Sequence, residues 1–408
     1  MARKPVPTLR EQEVQGVKYL DRVFPLLRRL HDVGCARDRA GNRDLHMDEY
    51  CALILLYLFS PAVESLRGIQ RMGELRKVQR LLGCGRASLG SLSESVRVFE
   101  PDLLQKIITE LGAELAPHAR DPRLAELRQA ITLVDGTLLP ALPRIAEAMW
   151  LTTRTGTAHH AWRLHTQFSL HLHVPLRMEL TNGRNSGPAN EKNVLRQQLA
   201  SDHLYVMDRG YAQFTLFDDI VAAGSSYVCR VRDNTACAVR EERPLTDAAR
   251  AAQVTSDLVV DLGHPDSSHR GPQHPVRLIS IEVPPHDKRS NRKGNTGAGP
   301  SDGLLRIATN LLDVPAEIVA LLYQYRYTIE LFFRFFKHLL GCRHQLSDKP
   351  DGIRIQVYCA IIACMLLSLW TGRKPTLATL EMFYWYFIGL AEEDELEAHL
   401  AKLKSHPA

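Results

Sequence analysis

The hydrophobic positions divide the chain into regions with different periods. Up to about residue 125, Leu and Val recur at spacings of three and four residues, as in YLDRVFPLLRRL and MDEYCALILLYLF, which predicts helices. Beyond residue 130 the apolar segments become β-branched or alternating, which predicts strands. The chain becomes helical again after residue 351. We therefore predict a helical N-terminal domain (1–125), an α/β core and a helical C-terminal region (351–408).

The first part of the core, residues 126–233, has a distinctive order of predicted elements. Strands are predicted at 131–142, 161–172, 174–183, 203–211 and 225–233, and helices at 189–200 and 212–224. Three consecutive strands suit an antiparallel meander, whereas strands reached through helices suit parallel additions to the same sheet. We therefore predict a mixed five-stranded sheet with flanking helices, an order that is similar to the ribonuclease-H-like fold.

The core pattern is interrupted between residues 234 and 303. The segments VTSDLVVDLG and VRLISIEV are strand-like, and turn and loop residues surround them. This composition predicts a β-rich insertion. The core then resumes over 304–350 with a further strand and with one long helix at 315–340.

Basic residues are concentrated in the N-terminal domain, where residues 64–100 form a recognisable pattern. This segment predicts a helix that ends at Gly83, a turn, and a second helix capped by Ser91 or Ser93. The basic side chains of the first helix include Arg67, Arg71, Arg76 and Lys77. The arrangement is typical of a helix-turn-helix that binds DNA, and equally of a helical hairpin with a solvated basic face.

The composition narrows the class of protein only modestly. The net charge of +5 is compatible with phosphate binding but decides nothing alone. Eight cysteines without a C-x-x-C pair predict reduced thiols rather than a zinc site. The most apolar run, residues 357–370, is shorter than the ~20 residues needed to cross a bilayer, so we predict a buried core helix. No signal-peptide pattern opens the chain, and we expect a cytoplasmic protein with neither a membrane partner nor a small-molecule substrate.

Three acidic residues stand out by their position. Asp135 lies within an apolar predicted strand, where an unused carboxylate is costly. Asp208 lies at the C-terminal end of the fourth predicted strand, and such strand ends hold ligand sites in open α/β sheets. Glu330 lies on the long helix. These three residues are the candidates for catalysis.

The helix at 315–340 carries a polar stripe on an otherwise apolar surface. Tyr323, Arg326, Glu330 and Lys337 have the spacing Y-x2-R-x3-E-x6-K. At 100° per residue they fall within roughly 60° of one another. The rest of the surface carries Ile329, Phe332, Phe333, Phe336 and Leu340. The alternative is an ion pair between Arg326 and Glu330, which contributes about 0.3–0.5 kcal/mol when exposed and accounts neither for the tyrosine nor for the other two acids.

These motifs resemble those of a known enzyme family. The chain looks like a DDE transposase of the bacterial insertion-sequence group whose signature is Tyr, Arg, Glu and Lys at this spacing. Asp135 lies in V-D-G-T and Asp208 in D-R-G-Y, as the first and second aspartates of that family do, and NGRNSGPANEKN and VRDN resemble its middle region. The likeness covers roughly residues 130–345, whereas the N-terminal helices match only loosely.

The resemblance implies a metal site. Asp135, Asp208 and Glu330 would hold two Mg²⁺ ions, for which Mn²⁺ can substitute. Asp135 would bridge both ions, Asp208 would complete the first and Glu330 the second. Carboxylates are ligands that Mg²⁺ prefers, and two metals about 3.5–4 Å apart stabilise the attacking and leaving oxygens of phosphoryl transfer. The nucleophile would be a water molecule first and then a DNA 3′-hydroxyl.

The resemblance also implies contacts with DNA. Arg326 and Lys337 would hold the phosphates that flank the cut, and Tyr323 would bond a phosphate oxygen. Members of the family can form a hairpin with a flipped base, which needs an aromatic platform. Trp162 and Trp150 are the candidates, with core packing as the alternative interpretation of each.

The function implied is cut-and-paste transposition of an insertion sequence. The partners would be double-stranded DNA, at terminal inverted repeats and at the target, and a second copy of the chain in a homodimer on DNA. Two alternatives remain at this stage. One is a ribonuclease-H-like metal-dependent nuclease that does not join strands, and the other is a non-catalytic DNA-binding protein derived from a transposase.

Overall fold

The structure is a computed structural model, and it divides into two compact units. It describes residue 20 and residues 22–83, 85–115, 121–140, 149–152, 158–263, 271–283, 303–340, 346–347, 349–372 and 376–405. The first unit comprises Met1–His118, Leu139–Trp162 and Phe333–Ala408. The second comprises Ala119–Leu138 and Arg163–Phe332. The predicted N-terminal and C-terminal helical regions therefore fall in the same unit.

The helices and strands of the described residues follow in chain order. The helices are α1 (Phe24–Arg28), α2 (Met47–Leu58), α3 (Leu66–Gly73), α4 (Arg76–Leu82), α5 (Leu89–Val98), α6 (Leu103–Glu114), α7 (Glu191–Gln197), α8 (Phe214–Ala222), α9 (Asp247–Ala251), α10 (Ala316–Tyr325), α11 (Tyr327–Leu339), α12 (Pro350–Thr371), α13 (Leu377–Phe387) and α14 (Glu393–Ser405). The strands are β1 (Ala130–Pro140), β2 (Met149–Thr152), β3 (Ala158–Ser169), β4 (Val174–Asn182), β5 (His203–Met207), β6 (Ser226–Arg230), β7 (Cys237–Glu242), β8 (Val254–Leu262), β9 (Val276–Glu282) and β10 (Leu304–Thr309).

The first unit is built around α12. This helix packs against α2, α5 and α6. It has 22 residues and is long and apolar enough to cross a membrane, but 89% of its most apolar window is buried inside the protein. The apolar run at 357–370 thus lies within a core helix, as predicted, and that helix extends from Pro350 to Thr371.

The basic segment of the first unit contains two short helices where one was predicted. α3 and α4 are separated at Glu74 and Leu75, and α4 ends at Gly83, which has the left-handed φ of 71°. The following helix, α5, is capped by Ser88, whose hydroxyl accepts from Ser91 N, so neither Ser91 nor Ser93 is the cap. The predicted basic residues Arg67, Arg71, Arg76 and Lys77 are all exposed or partly exposed.

The strands form one mixed sheet, which positions the candidate site. Its order is β2-β3-β1-β5-β6-β10-β9-β8-β7, with β4 paired to β3. β5 runs parallel to β1 on one side and to β6 on the other. β5 and β6 are joined through α8, which packs on β6, as a parallel crossover requires. The α/β class and the five strands predicted for residues 126–233 are confirmed, and β2 was missed.

The strands of the predicted β-rich insertion belong to the same sheet as the core strands. β10 pairs antiparallel with β6 and with β9, so the strands from the insertion extend the core sheet. β7 and α9 were not predicted, and β7 forms the exposed edge of the sheet. A buried ion pair between Arg277 and Asp257 ties β9 to β8, with Nη2 and Oδ2 2.6 Å apart.

The core of the second unit lies between the central strands and the helices that cover them. It includes Val134 of β1, Met207 of β5, Cys229 of β6 and Phe217 of α8. Phe217 stacks on Tyr227 with ring centroids 4.2 Å apart. Because these apolar residues hold β1, β5 and β6 in place, the residues that follow them at the strand ends are held in place as well.

Candidate active site

Asp135 and Asp208 occupy equivalent positions on neighbouring parallel strands. The register of β1 with β5 runs as far as Val134 opposite Met207. The two aspartates are the next residues along the chain in each case, and adjacent strands lie about 4.8 Å apart. The two acids that are 73 positions apart in the sequence therefore lie side by side in the sheet.

The environment of Asp135 opposes its negative charge. Burial raises the pKa of Asp135 from 3.8 to about 6, and the carboxylates of Asp208 and Glu330 add to this rise. The Gly136 N–H, which donates to Asp135 Oδ1 at 2.7 Å, and the Arg326 guanidinium act in the opposite direction. Asp208 and Glu330 are therefore both near enough to Asp135 to influence its carboxyl group.

Asp208 is fixed by the turn that follows β5. Its Oδ1 accepts from Gly210 N at 2.8 Å, and its carbonyl oxygen accepts from the thiol of Cys229 at 3.3 Å. A Cβ at Gly210 would lie 2.9 Å from Asp208 Oδ1, which is closer than Cβ atoms normally approach other heavy atoms. The turn therefore requires glycine at this position to let the carboxylate lie over the backbone.

The predicted helix at 315–340 is two helices that meet at Arg326. The bonds at the junction are Arg326 N to Tyr323 O and Ile329 N to Arg326 O, so three-residue spacing locally replaces the four-residue spacing of an α-helix. The apolar side predicted for α11 is buried, including Ile329 and Phe336. Tyr323, Arg326, Glu330 and Lys337 are all partly exposed.

Arg326 links the helix to the strand. Its Nη2 bonds Glu330 Oε1 at 2.6 Å, and its Nη1 lies 3.7 Å from Asp135 Oδ2. Its guanidinium carbon lies 5.8 Å from the ring centroid of Tyr323. The helical ion pair considered as the alternative is thus present, but it does not account for the approach to Asp135. The structure brings together Asp135, Asp208, Glu330, Arg326 and Tyr323.

The donor set fits a hard divalent cation. The group offers carboxylate oxygens, which Mg²⁺ and Mn²⁺ accept as ligands, and the mutual repulsion that helps raise the pKa of Asp135 is what a bound cation would relieve. Burial raises the pKa of Tyr323, so its phenol stays protonated and can donate a hydrogen bond.

A fourth acid beside the site was missed in the sequence. Glu191 begins α7, and a Cβ at Gly210 would lie 3.1 Å from its Oε1. Glu191 Oε2 lies 3.4 Å from Nη1 of Arg163 on β3. The sequence signal was the segment NGRNSGPANEKN, which contains Glu191 but did not indicate which of its residues faces the aspartates.

The predicted DNA contacts Trp162 and Lys337 belong to the first unit. Trp162 is 4% exposed, so its ring is packed in the interior and is not open to a base. Burial favours the core-packing interpretation of Trp162, and its contact with a flipped base stays a prediction. The side chain of Trp150 lies outside the described residues. Lys337 lies two turns beyond Glu330 on α11, and its role stays a prediction.

A histidine cluster in the first unit has the spacing of a metal site but not the orientation. His31, Asp32 and His46 offer ligand atoms within 4.8 Å of one another. The rings of His31 and His46 are stacked, however, with centroids 3.7 Å apart and 5° between their planes. The lone pair of an imidazole nitrogen lies in the ring plane, so two parallel rings cannot both direct a lone pair at one ion. The cluster is a structural stack, held by Asp48 Oδ1 3.0 Å from His31 Nδ1.

Comparison with known proteins identifies the family. The family model described as "Transposase DDE domain" matches residues 126–366. The chain is 23% identical over 290 residues to the probable transposase for insertion sequence element IS5377 of Geobacillus stearothermophilus, covering 70% of this chain and 68% of that protein. It is 25% identical over 246 residues to the putative transposase y4zB of Sinorhizobium fredii, covering 60% and 62%.

A solved structure is also similar. It is the cryo-EM structure of a piggyBac transposase synaptic complex with hairpin DNA, with a TM-score of 0.42 and 11% identity over 95% of this chain and 81% of that chain.

The family match covers more than half of the sequence. The protein therefore belongs to the DDE transposases of bacterial insertion sequences.

Proposed function

We propose that this chain catalyses cut-and-paste transposition of an insertion sequence. It would cleave strands at terminal inverted repeats and join the freed 3′-ends to target DNA. The observation that carries this proposal is the grouping of Asp135 in β1, Asp208 directly after β5 and Glu330 in α11, because the last two act on the carboxyl group of the first. Three acids from separate elements have little structural reason to gather at one partly buried place unless a cation or substrate uses them.

We propose further that the core is ribonuclease-H-like. The strand order β4-β3-β1-β5-β6, with β5 parallel to β1 and β6, supports this proposal, because it is the order expected when three successive strands are followed by two helical crossovers. In this arrangement Asp135 lies within β1, Asp208 directly follows the adjacent strand β5, and Glu330 is supplied by a later helix.

Two Mg²⁺ ions would be held by these acids, with Asp135 between them. The ions would supply electrostatic stabilisation of the attacking and leaving oxygens. The residues of the chain have separate tasks. Asp135 and Asp208 are fixed by the backbone N–H groups of Gly136 and Gly210, which limits the rearrangement needed on binding.

Arg326, Tyr323 and Lys337 would position the DNA backbone. In the structure, the positive charge of Arg326 lies beside the carboxylates of Glu330 and Asp135. If these carboxylates held cations, the Arg326 guanidinium would be free to bind a phosphate of the DNA. A guanidinium can bind a phosphate through two parallel hydrogen bonds. The ring of Tyr323 lies near this guanidinium, and its phenol would donate a hydrogen bond to the same DNA backbone.

The basic residues of α3 and α4 would bind DNA outside the catalytic site. Arg67, Arg71, Arg76 and Lys77 lie on short helices with solvent-accessible side chains, which suits phosphate contacts that hold the duplex without reading its sequence. We propose that the active assembly is a homodimer on DNA and that it acts in the cytoplasm.

A strand-transfer assay with a pre-cleaved inverted-repeat end tests the function. We expect joined product with Mg²⁺, and loss of cleavage and joining by at least about 10³-fold for Glu330→Gln, because the amide keeps the shape but not the charge. The matched control is Glu317→Gln at the far end of α10, which should act like the wild-type chain. Cleavage without joining would favour a nuclease, and an inactive wild-type chain that still binds DNA would favour a non-catalytic protein.

A further inference from the structure

Glu191 faces the backbone that follows both aspartates. Its Oε1 lies 3.1 Å from the position that a Cβ would take at Gly210, and Asp208 Oδ1 lies 2.9 Å from the same position. Its Oε2 lies 3.8 Å from the corresponding position at Gly136, the residue after Asp135. The Glu191 carboxylate therefore lies against the two glycines that shape the site.

The loop before α7 holds Glu191 in this place. Asn185 adopts the left-handed region with φ of 54°, which few residues other than glycine tolerate and which asparagine tolerates best. Its side-chain oxygen accepts from Glu191 N at 2.8 Å, and its carbonyl accepts from the Asn190 side chain at 3.0 Å. Asn190 in turn caps α7 by accepting from Lys192 N. The position of Glu191 is thus fixed by its main chain as well as its side chain.

Arg163, which lies on β3, orients the carboxylate of Glu191. The pair joins Arg163 Nη1 to Glu191 Oε2 at 3.4 Å, with the two side chains 18% and 14% exposed. Arg163 also approaches Gly136, where a Cβ would lie 3.6 Å from its Nη1. Oε2 is therefore turned toward Arg163, and Oε1 is turned toward Gly210 and Asp208.

An ion pair with Arg163 alone does not explain this placement. Glu191, Asp135 and Asp208 all act on the hydroxyl of buried Tyr211, whose pKa is raised chiefly by burial and further by these three carboxylates. Placing a third negative charge beside two others in a half-buried setting is unfavourable unless a cation is shared among them. Glu330 belongs to α11, and Arg326 forms ion pairs with both Glu330 and Asp135.

We propose that Glu191 is a fourth carboxylate of the metal site, that it contributes an oxygen ligand to the divalent cation held by Asp208, and that Arg163 orients it for this purpose. The proposal rests on the proposed function, because it assumes that Asp135 and Asp208 bind cations. It assigns a role to the loop that connects β4 to α7.

Titration of the full chain with Mn²⁺ in the absence of DNA tests the proposal, with free Mn²⁺ measured by electron paramagnetic resonance. We expect Glu191→Gln to weaken Mn²⁺ binding by about 10- to 100-fold, the range typical for residues that support a metal site. Glu191→Asp, which retains the charge but withdraws the oxygens, should weaken it by less. The matched control is Asp219→Asn, which removes the ion pair of α8 with Arg196 of α7 at 2.6 Å and should leave Mn²⁺ affinity unchanged.

The outcomes separate this proposal from the function on which it rests. Asp208→Asn should abolish the same binding event, and if it has no effect the proposed catalytic site itself is wrong. If Asp208→Asn weakens binding and Glu191→Gln leaves it at the wild-type value, the role of Glu191 is refuted while the function stands. Weakened DNA-end binding by Glu191→Gln at unchanged Mn²⁺ affinity would likewise overturn the proposal. If the glutamine variant does not fold, as judged by circular dichroism, the aspartate variant decides, and wild-type affinity in it would refute the assignment.

Discussion

Replacing Asp135 with asparagine should stabilise the protein at neutral pH while removing its activity. Asp135 is opposed in its ionised form first by burial and then by Asp208 and Glu330. Asparagine has nearly the same shape and can still accept the Gly136 N–H, but it carries no charge. The variant therefore removes an unfavourable ionisation and keeps the hydrogen bond.

The magnitude follows from the pKa of this carboxyl group. A rise from 3.8 to about 6 on folding corresponds to about 3 kcal/mol of lost stability when the group is fully ionised. Because the folded pKa is the higher one, this loss is absent below pH 3.8, grows as the pH rises and is complete above about pH 6. This rise already includes the opposing attraction of Arg326, and solvent screening at a side chain that is 20% exposed reduces the cost further. We therefore expect a net gain of about 1–2 kcal/mol at pH 8 and about half of it at pH 5.

Urea unfolding of the wild-type chain and of Asp135→Asn, in chelator and at both pH values, measures this gain. Asp121→Asn is the matched control of opposite sign. A hydrogen bond from Arg123, with a further contribution from Tyr325, holds the pKa of Asp121 well below its usual range. Its contribution to stability is present at neutral pH and is lost as the pH falls, so its asparagine variant should be less stable at pH 8.

Two results would contradict a destabilising ionisation of Asp135. In the first, Asp135→Asn is no more stable than the wild-type chain at pH 8. In the second, the difference in stability between the two proteins does not change from pH 5 to pH 8. Either result would mean that the ionised carboxylate is not strained by its surroundings, and that its position at the strand end needs another explanation.

Three further changes probe other parts of the molecule. Gly210→Ala should slow strand cleavage by about 10- to 100-fold with little change in thermal stability, because the new methyl group displaces Asp208; a wild-type cleavage rate would contradict the geometry of the turn. Arg76→Ala combined with Lys77→Ala should weaken DNA binding, as measured by fluorescence anisotropy. The slope of log affinity against log salt concentration should fall in magnitude by about 1 for each phosphate that is no longer neutralised. An unchanged slope would show that α4 is not part of the DNA interface. Arg277→Met should lower the free energy of unfolding by about 3–5 kcal/mol in urea denaturation, because it leaves a buried carboxylate unpaired, and a loss below about 1 kcal/mol would show that water reaches the site.

Much of the candidate site was predictable because its residues break local rules. Asp135 interrupts an apolar strand, and Asp208 follows one, so each is visible as a carboxylate where burial is expected. Glu330 was visible because the helical period places it with Tyr323 and Arg326 on one side of a helix. Their grouping was an expectation from the family resemblance, and the structure supplies the register that places the aspartates side by side.

Glu191 could not be predicted in the same way. It begins a helix, where an acidic residue is favoured by the helix dipole whatever its function, so its position gave no signal. Its approach to Gly210 depends on the left-handed Asn185 and on Arg163 from another strand. Such contacts between distant segments have no counterpart in local periodicity.

The sheet also combines features that the sequence predicted with features that it did not. Alternating and β-branched segments indicated most of the strands, but not that β10 would lie between β6 and β9 and extend the core sheet. Strand propensity reports how a segment fits a pleated surface and not which edge it joins. The helical break at Arg326 was missed because the apolar period continues through it.

The sequence by itself determined the mixed α/β class, the helical regions at both ends and the three acids, because each of these depends on periodicity or on a polar residue in an apolar segment. Only the tertiary structure decided which strands pair, that Trp162 is enclosed and that Glu191 joins the acids. These features depend on packing and hydrogen bonding between residues far apart in the chain, which a local pattern does not encode.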